Sequence, residues 1–271
     1  MPYFPQRIVC LTEETTETLY LLGEQDRIVG ISGFTVRPPQ ARRDKPKVSA
    51  FTSAKIDRIL DLKPDLVLGF SDLQADIAAQ LVRLGIEVHI FNHRSIRQIL
   101  NMIVQLGALV GAGDKALAWV QGWEKEAGRL RASLPPVAAR PVVYFEEWDD
   151  PIISGIRWVS ELIELAGGRE CFPENAVESL GKNRIVADPL DVVRRAPDII
   201  IGSWCGKKFR PDKVCLRPGW DSIPAVRDRQ VFEIKSSVIL QPGPAALTDG
   251  LAELRRVITA WSGSLQNRVR P

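Results

Sequence analysis

Apolar residues recurring at alternating four- and three-residue steps single out one stretch of this chain. Ala116, Val120, Trp123, Ala127, Leu130 and Leu134 share one face of a helix predicted over residues 114–134, with charged residues between them. Asp114 is placed to cap its start. Pro135 and Pro136 stop it, because a proline ring neither donates to nor fits inside an i→i−4 ladder. At a rise of about 1.5 Å per residue this helix is roughly 30 Å long, the width of a small domain.

Short apolar runs and helical patterns alternate in the same order on both sides of it. Residues 7–14 read as a buried strand and residues 15–23 as a helix closed by Gly23; residues 141–150 and 160–168 repeat that order. Residues 55–72 match residues 189–206, each a helix, a Pro-Asp turn and an apolar strand ending in Gly. The offset is 133 for the paired glutamates (146 − 13) and for the turns (197 − 64). The expected fold class is therefore α/β, with two βα lobes joined by a single long helix and a ligand cleft between the lobes. Residues 1–94 form the N-terminal lobe, 95–136 the helical connection including the linking helix, and 137–271 the C-terminal lobe. Sheets of this kind bind ligands just beyond the carboxyl ends of their strands.

Composition narrows the classes. A chain of 271 residues, 45% hydrophobic and 25% charged, can bury two cores of ordinary size. A net charge of +3 spread along the chain lacks the concentrated basic face of a nucleic-acid binder, so no nucleic-acid partner is expected, and the chain is expected to be a monomer. Cys10, Cys171, Cys205 and Cys215 form no CxxC pair, which argues against a zinc knuckle. The opening MPYFPQRIVC reads as cytoplasmic as written, and as periplasmic if a leader has been removed.

Residues following the strands are the candidates for function. In the first lobe these are Glu13, Glu14, Arg37, Phe51, Phe70, Asp72 and His93. In the second they are Glu146, Glu147, Trp148, Trp158, Arg184, Trp204, Cys205 and Lys207. Two glutamates, a tryptophan and two aspartates directly after a strand are costly if buried, and so point to a binding role; a solvated loop is the plainer reading.

RIVCLTEETTETLYLLG, DRIVGISGFTVRPPQA, IDRILDLKPDLVLGF, LVRLGIEVHIFN, YFEEWDDPIISGIRWVSELIELAGG, GWDSIPAVRDRQVFEI and LQPGPAAL follow one another in this order. With these stretches the chain resembles the class III, helical-backbone substrate-binding proteins of ABC importers, in particular the cobalamin-binding branch. The resemblance implies a rigid bilobal, non-catalytic binding protein that holds a small-molecule ligand, cobalamin or a related corrinoid, between its lobes, with an importer permease as partner if the chain is exported. It also implies aromatic walls. Phe51 and Phe70 match aromatic positions of the first lobe, and Trp148, Trp158 and Trp204 are available for the second. Each such side chain buries about 150–250 Å². No resident cofactor or metal is expected on this reading. Arg37 stands where the corrinoid binders carry a Tyr before the Pro pair. With the charged strand ends it sustains an alternative: a cytoplasmic enzyme, or a metal or polar-ligand binder, on the same scaffold using Cys205, His93 and Glu146/Glu147.

Overall fold

The computed structural model describes the backbone of residues 3–269 and the side chains of residues 3–263. Two compact units account for it. The first takes the chain up to His93, Arg97–Lys125 and Gln241–Pro244; the second takes Arg94–Ile96, Glu126–Leu240 and the chain from Ala245 onward.

The first unit is built on a wholly parallel sheet of order β3-β2-β1-β4-β5, from strands Ile8–Cys10 (β1), Ile28–Ser32 (β2), Lys47–Ser49 (β3), Leu66–Phe70 (β4) and Val88–Phe91 (β5). Its core is aliphatic: Val9, Leu11, Val48, Ile59, Val67, Ile77 and Leu81 are all buried in one cluster. Strands β1 and β4 are apolar at every position because both faces of a parallel sheet are covered.

The second sheet uses Val142–Asp149 (β6), Ile152–Ser154 (β7), Arg169–Glu170 (β8), Ile199–Gly202 (β9) and Val231–Glu233 (β10). Its order is β10-β9-β6-β7, with β8 also paired to β6; β7 alone runs antiparallel. Aromatic side chains dominate this core. Tyr144 packs at 5.7 Å from Phe172 and 5.9 Å from Trp220, and Trp204 at 4.9 Å from Phe209, all near edge-to-face.

The Pro-Asp turns lock the two sheets in the same way. Asp65 accepts hydrogen bonds from the backbone N–H groups of Gln6 and Arg7 at 2.7 and 2.8 Å, and its own N–H donates to the Arg7 carbonyl. Asp198 accepts from the Val142 N–H at 2.8 Å and donates its N–H to the Val142 carbonyl. Arg7 therefore corresponds to Val142, an offset of 135 (142 − 7), while the turns keep 133 (198 − 65). A slip of two residues leaves each strand's side chains on the same faces. It also means that Glu13–Glu14 and Glu146–Glu147 are not structural equivalents. The first pair opens the helix Glu13–Leu22, and the second lies inside β6.

The linking helix runs over Gly113–Ala132, so Asp114 sits in its first turn rather than at its cap. The boundary between units falls within it, between Lys125 and Glu126. Residues 95–136 are thus not a separate connection. The preceding helix, Ile96–Leu109, buries Ile99, Leu100, Met102, Ile103 and Leu106, and the Met102 sulfur lies 3.9 Å from the Thr18 hydroxyl of the first unit. Among the described residues no helix is long and apolar enough to cross a membrane.

Candidate functional site

The carboxyl edge of the first sheet presents an aromatic surface. Phe51 follows β3, Phe70 ends β4 and His93 follows β5; the rings of Phe51 and Phe70 are 6.5 Å apart, those of Phe70 and His93 4.8 Å. Phe51 is half-buried, and Phe70 is covered on most of its surface. What holds them is Gln74, a residue absent from the sequence-based candidates. Its side chain is wholly buried; Oε1 accepts from the Phe70 N–H at 2.9 Å and Nε2 donates to the Phe51 carbonyl at 2.8 Å. Gly69 makes room for this amide, since a Cβ there would lie 2.7 Å from Gln74 Oε1. One amide thus fixes the ends of two strands, satisfying backbone groups that their ladders leave over.

Two expected ligand groups of this unit are packing groups instead. His93 is buried with Nε2 2.7 Å from the Pro242 carbonyl; a carbonyl only accepts, so Nε2 carries the proton. Glu14 is buried, accepts from the Thr12 hydroxyl at 2.5 Å, and lies against Gly243, where a Cβ would come within 2.6 Å of its own Cβ. The segment Gln241–Pro244 covers both, which spacing along the chain gives no means of foreseeing. Glu13 is half-buried, and burial pushes its carboxyl above the usual range. Asp72 is exposed, and Arg37 is paired to Glu17 at 3.2 Å.

Ion pairs organise the edge of the second sheet. Glu146, fully buried in β6, receives four donors: Arg217 in a two-pronged contact at 2.5 and 2.9 Å, the Tyr144 hydroxyl at 3.0 Å and Trp204 Nε1 at 3.0 Å. Burial alone would lower the Arg217 guanidinium, but Glu146 beside it holds it above its ordinary value. Burial, then the Glu146 charge, drives the Tyr144 hydroxyl well up. Glu147 is gripped by buried Arg184 at 2.7 and 3.0 Å. Burial would raise Asp149, yet Lys207 beside it holds this carboxyl below the usual range. The acidic run is thus neither a solvated loop nor an open negative patch. Glu146, Glu147 and Asp149 each have a cation of their own, as bidentate arginine geometry favours.

This corrects the roles expected of several residues. Glu146 has no free lone pair to offer as general acid or base. Trp158 lies inside the helix Arg157–Ala166 rather than ahead of it, is buried, and donates Nε1 to the Ile239 carbonyl at 2.9 Å. Trp204 is buried between Glu146 and Phe209. Only Trp148, half-buried, with its Nε1 bonded to the Asp150 carbonyl at 2.9 Å, remains a wall candidate in this unit. Cys205 is exposed, forms no disulfide and belongs to the second unit, whereas His93 belongs to the first. Among the described residues no three His, Cys, Asp or Glu side chains gather as a metal site. Arg217, the partner of Glu146, is the other functional residue that sequence reasoning missed; it lies 71 residues away with no local signal.

Each of the two α/β units presents strand carboxyl ends, and one long helix contributes residues to both. The chain belongs to the periplasmic binding protein family, whose pattern matches residues 8–238. Among its relatives is an uncharacterized ABC transporter substrate-binding lipoprotein of Bacillus subtilis, 24% identical, the match covering 94% of this chain and 80% of that protein. A vitamin B12-binding protein of Vibrio parahaemolyticus is also 24% identical, over 89% of this chain and 86% of its own. The fold is shared with a possible iron-binding, periplasmic solute-binding protein of Staphylococcus epidermidis: TM-score 0.78 at 22% identity, over 94% of this chain and 98% of that one.

Proposed function

We propose that this protein is the ligand-binding component of an ABC importer, working outside the inner membrane with a permease, and that its ligand is cobalamin or a related corrinoid. The observation that carries this reading is the Phe51–Phe70 surface, clamped by Gln74 at the carboxyl edge of the first sheet. A half-buried Phe51 backed by the buried Phe70 ring on a rigid mount suits a broad, partly apolar ring, which gains from burying aromatic area without ordering flexible side chains. The relative that binds vitamin B12 supports the same ligand class. Charge at the strand ends, which favoured a smaller polar ligand, is spent internally by the Glu146–Arg217, Glu147–Arg184 and Asp149–Lys207 pairs.

Titration with hydroxocobalamin and dicyanocobinamide, followed by tryptophan fluorescence, tests the reading. One submicromolar site is expected, weakened about tenfold or more in Phe51→Ala and in Trp148→Ala, on the scale of an aromatic anchor worth about 1–3 kcal/mol. Saturation by haemin or a ferric siderophore with no corrinoid binding would replace the ligand while keeping the scaffold. The bound compound is expected back chemically intact after long incubation; turnover would reassign the protein as an enzyme.

A further inference from the structure

Lys207 is held in an unusual place. Its Nζ sits 4.0 Å from the centroid of the Trp148 ring and 5.0 Å from that of Trp204, and it donates to the Asp149 carboxylate. The two tryptophans reach the same edge by register: Glu146 pairs with Gly202, and each ring lies two residues further along its chain. An ammonium has three donors. Asp149 takes one; the aromatic rings attract the charge but accept no conventional hydrogen bond from it. The side chain keeps 39% of its surface open, while Asp149 keeps only 11%. The acid is therefore withdrawn, while the lysine side chain stays partly open and its ammonium has donors beyond the one that Asp149 takes.

Its mount is partly fixed and partly adjustable. Phe209 is buried against Gly202, where a Cβ would lie 1.8 Å from the ring, and anchors the far end of the loop. Gly206, at φ +78° with nothing within 4 Å of a built Cβ, lets the near end turn. A flat ligand that stacks on Trp148 must slide under or displace this ammonium. Displacement forfeits the π contacts, and the cheapest replacement is an acceptor carried by the ligand itself.

Resting on the corrinoid-type reading above, we propose that Lys207, stacked on Trp148 beside Asp149, is the specificity-determining residue of the site and selects ring ligands that carry an anionic group at their rim. The shared chemistry is a carboxylate or phosphate oxygen within reach of the ammonium. An exposed Arg210 two residues beyond the Lys207–Lys208 pair is already committed to Asp212, so it does not compete for that group.

The test compares three probes on the full chain at low salt: dicyanocobyrinic acid, with rim carboxylates; hydroxocobalamin, with one phosphodiester; and dicyanocobinamide, with neither. Wild-type protein is expected to bind at least one anionic ring about five- to tenfold more tightly than dicyanocobinamide, the size of a partly exposed charge pair. Whether the carboxylate or the phosphodiester probe gains identifies the anion. The preference should collapse to near unity in Lys207→Met, persist in Lys207→Arg, and fade as sodium chloride rises to 0.5 M, where screening shortens to a few ångströms. Equal preference in wild type and Lys207→Met overturns the proposal while leaving the corrinoid reading in place. So does a uniform loss of affinity for all three rings in Lys207→Met, which marks a merely structural pin. Binding of none of the three by the wild type removes the corrinoid reading and this inference together.

Discussion

The carboxyl edges of the two sheets share the same Pro-Asp lock but are finished by opposite means. On the first sheet a neutral amide, Gln74, ties down backbone groups and leaves aromatic rings at the edge. On the second, acidic residues that would otherwise repel one another are each matched to a cation, and of three tryptophans only Trp148 stays half-open. The aliphatic core of the first unit offers few polar partners, so its edge is organised through the backbone. The aromatic core of the second contains Tyr144 and Trp204, whose polar ends need acceptors, and Glu146 supplies them. Acidic side chains at a strand end are therefore not by themselves a binding signature. Their meaning depends on whether a cation arrives from elsewhere in the chain.

Breaking the ionic side of this contrast should have the largest effect. Arg217→Met leaves the Glu146 carboxylate fully buried with its charge uncompensated, and is expected to cost about 3–5 kcal/mol in urea unfolding. The double variant Glu146→Leu with Arg217→Met should recover most of that, because two apolar side chains remove the charge and its desolvation together. No recovery would show that the pair does more than neutralise itself.

A buried acid without a cation sharpens the point. Glu170 in β8 is buried, and burial raises its carboxyl from 4.5 to about 7, only partly offset by the hydrogen bond from the Phe172 N–H at 3.1 Å, with nearby Glu164 adding to the rise. The folded-state value exceeds the unfolded one, so the folded state binds this proton more tightly. Its stabilising contribution is complete below pH 4.5 and is lost as pH rises through about 7. About 3 kcal/mol is at stake over that window, at 1.36 kcal/mol per pH unit. Glu170→Gln should flatten the dependence of unfolding free energy on pH between these limits; an unchanged slope would assign it to other groups.

On the first sheet, Gln74→Ala would strand the Phe70 N–H and the Phe51 carbonyl, at about 1–3 kcal/mol. Ligand affinity should fall with it, because the aromatic surface loses its mount; a loss of stability with intact affinity would separate Gln74 from the site. Smallest of all, Arg194→Ala removes an exposed pairing to Asp188 and should leave the urea midpoint where it was.

Much of the scaffold was legible beforehand. Periodicity placed the long helix to within two residues at either end, and the Pro-Asp turns marked two βα units because one residue pair does the same backbone work in both. The glutamate pairs misled for a definite reason. An offset of 133 in sequence ignored the two-residue slip between β6 and β9 relative to β1 and β4, which only pairing reveals. Phe51 follows β3, whereas Phe70 closes β4 and Trp148 lies inside β6, so the strand-end rule marked their neighbourhood rather than their exact place. Phe70, Trp158 and Trp204 are buried all the same, because the rule says where a residue falls along the chain and not what is packed upon it.

By itself, then, the sequence determined the α/β plan, the two units, the helix between them and the strand ends on which chemistry could sit. These follow from local periodicity, from proline and glycine stereochemistry and from turns closed within a few residues. Tertiary structure alone decided which charges are spent and which remain. Glu146 meets Arg217 across 71 residues, Glu147 meets Arg184 across 37, and His93 meets the Pro242 carbonyl across 149. Neutralisation and burial act through space, and no spacing along a chain encodes a partner that arrives only when the chain has folded.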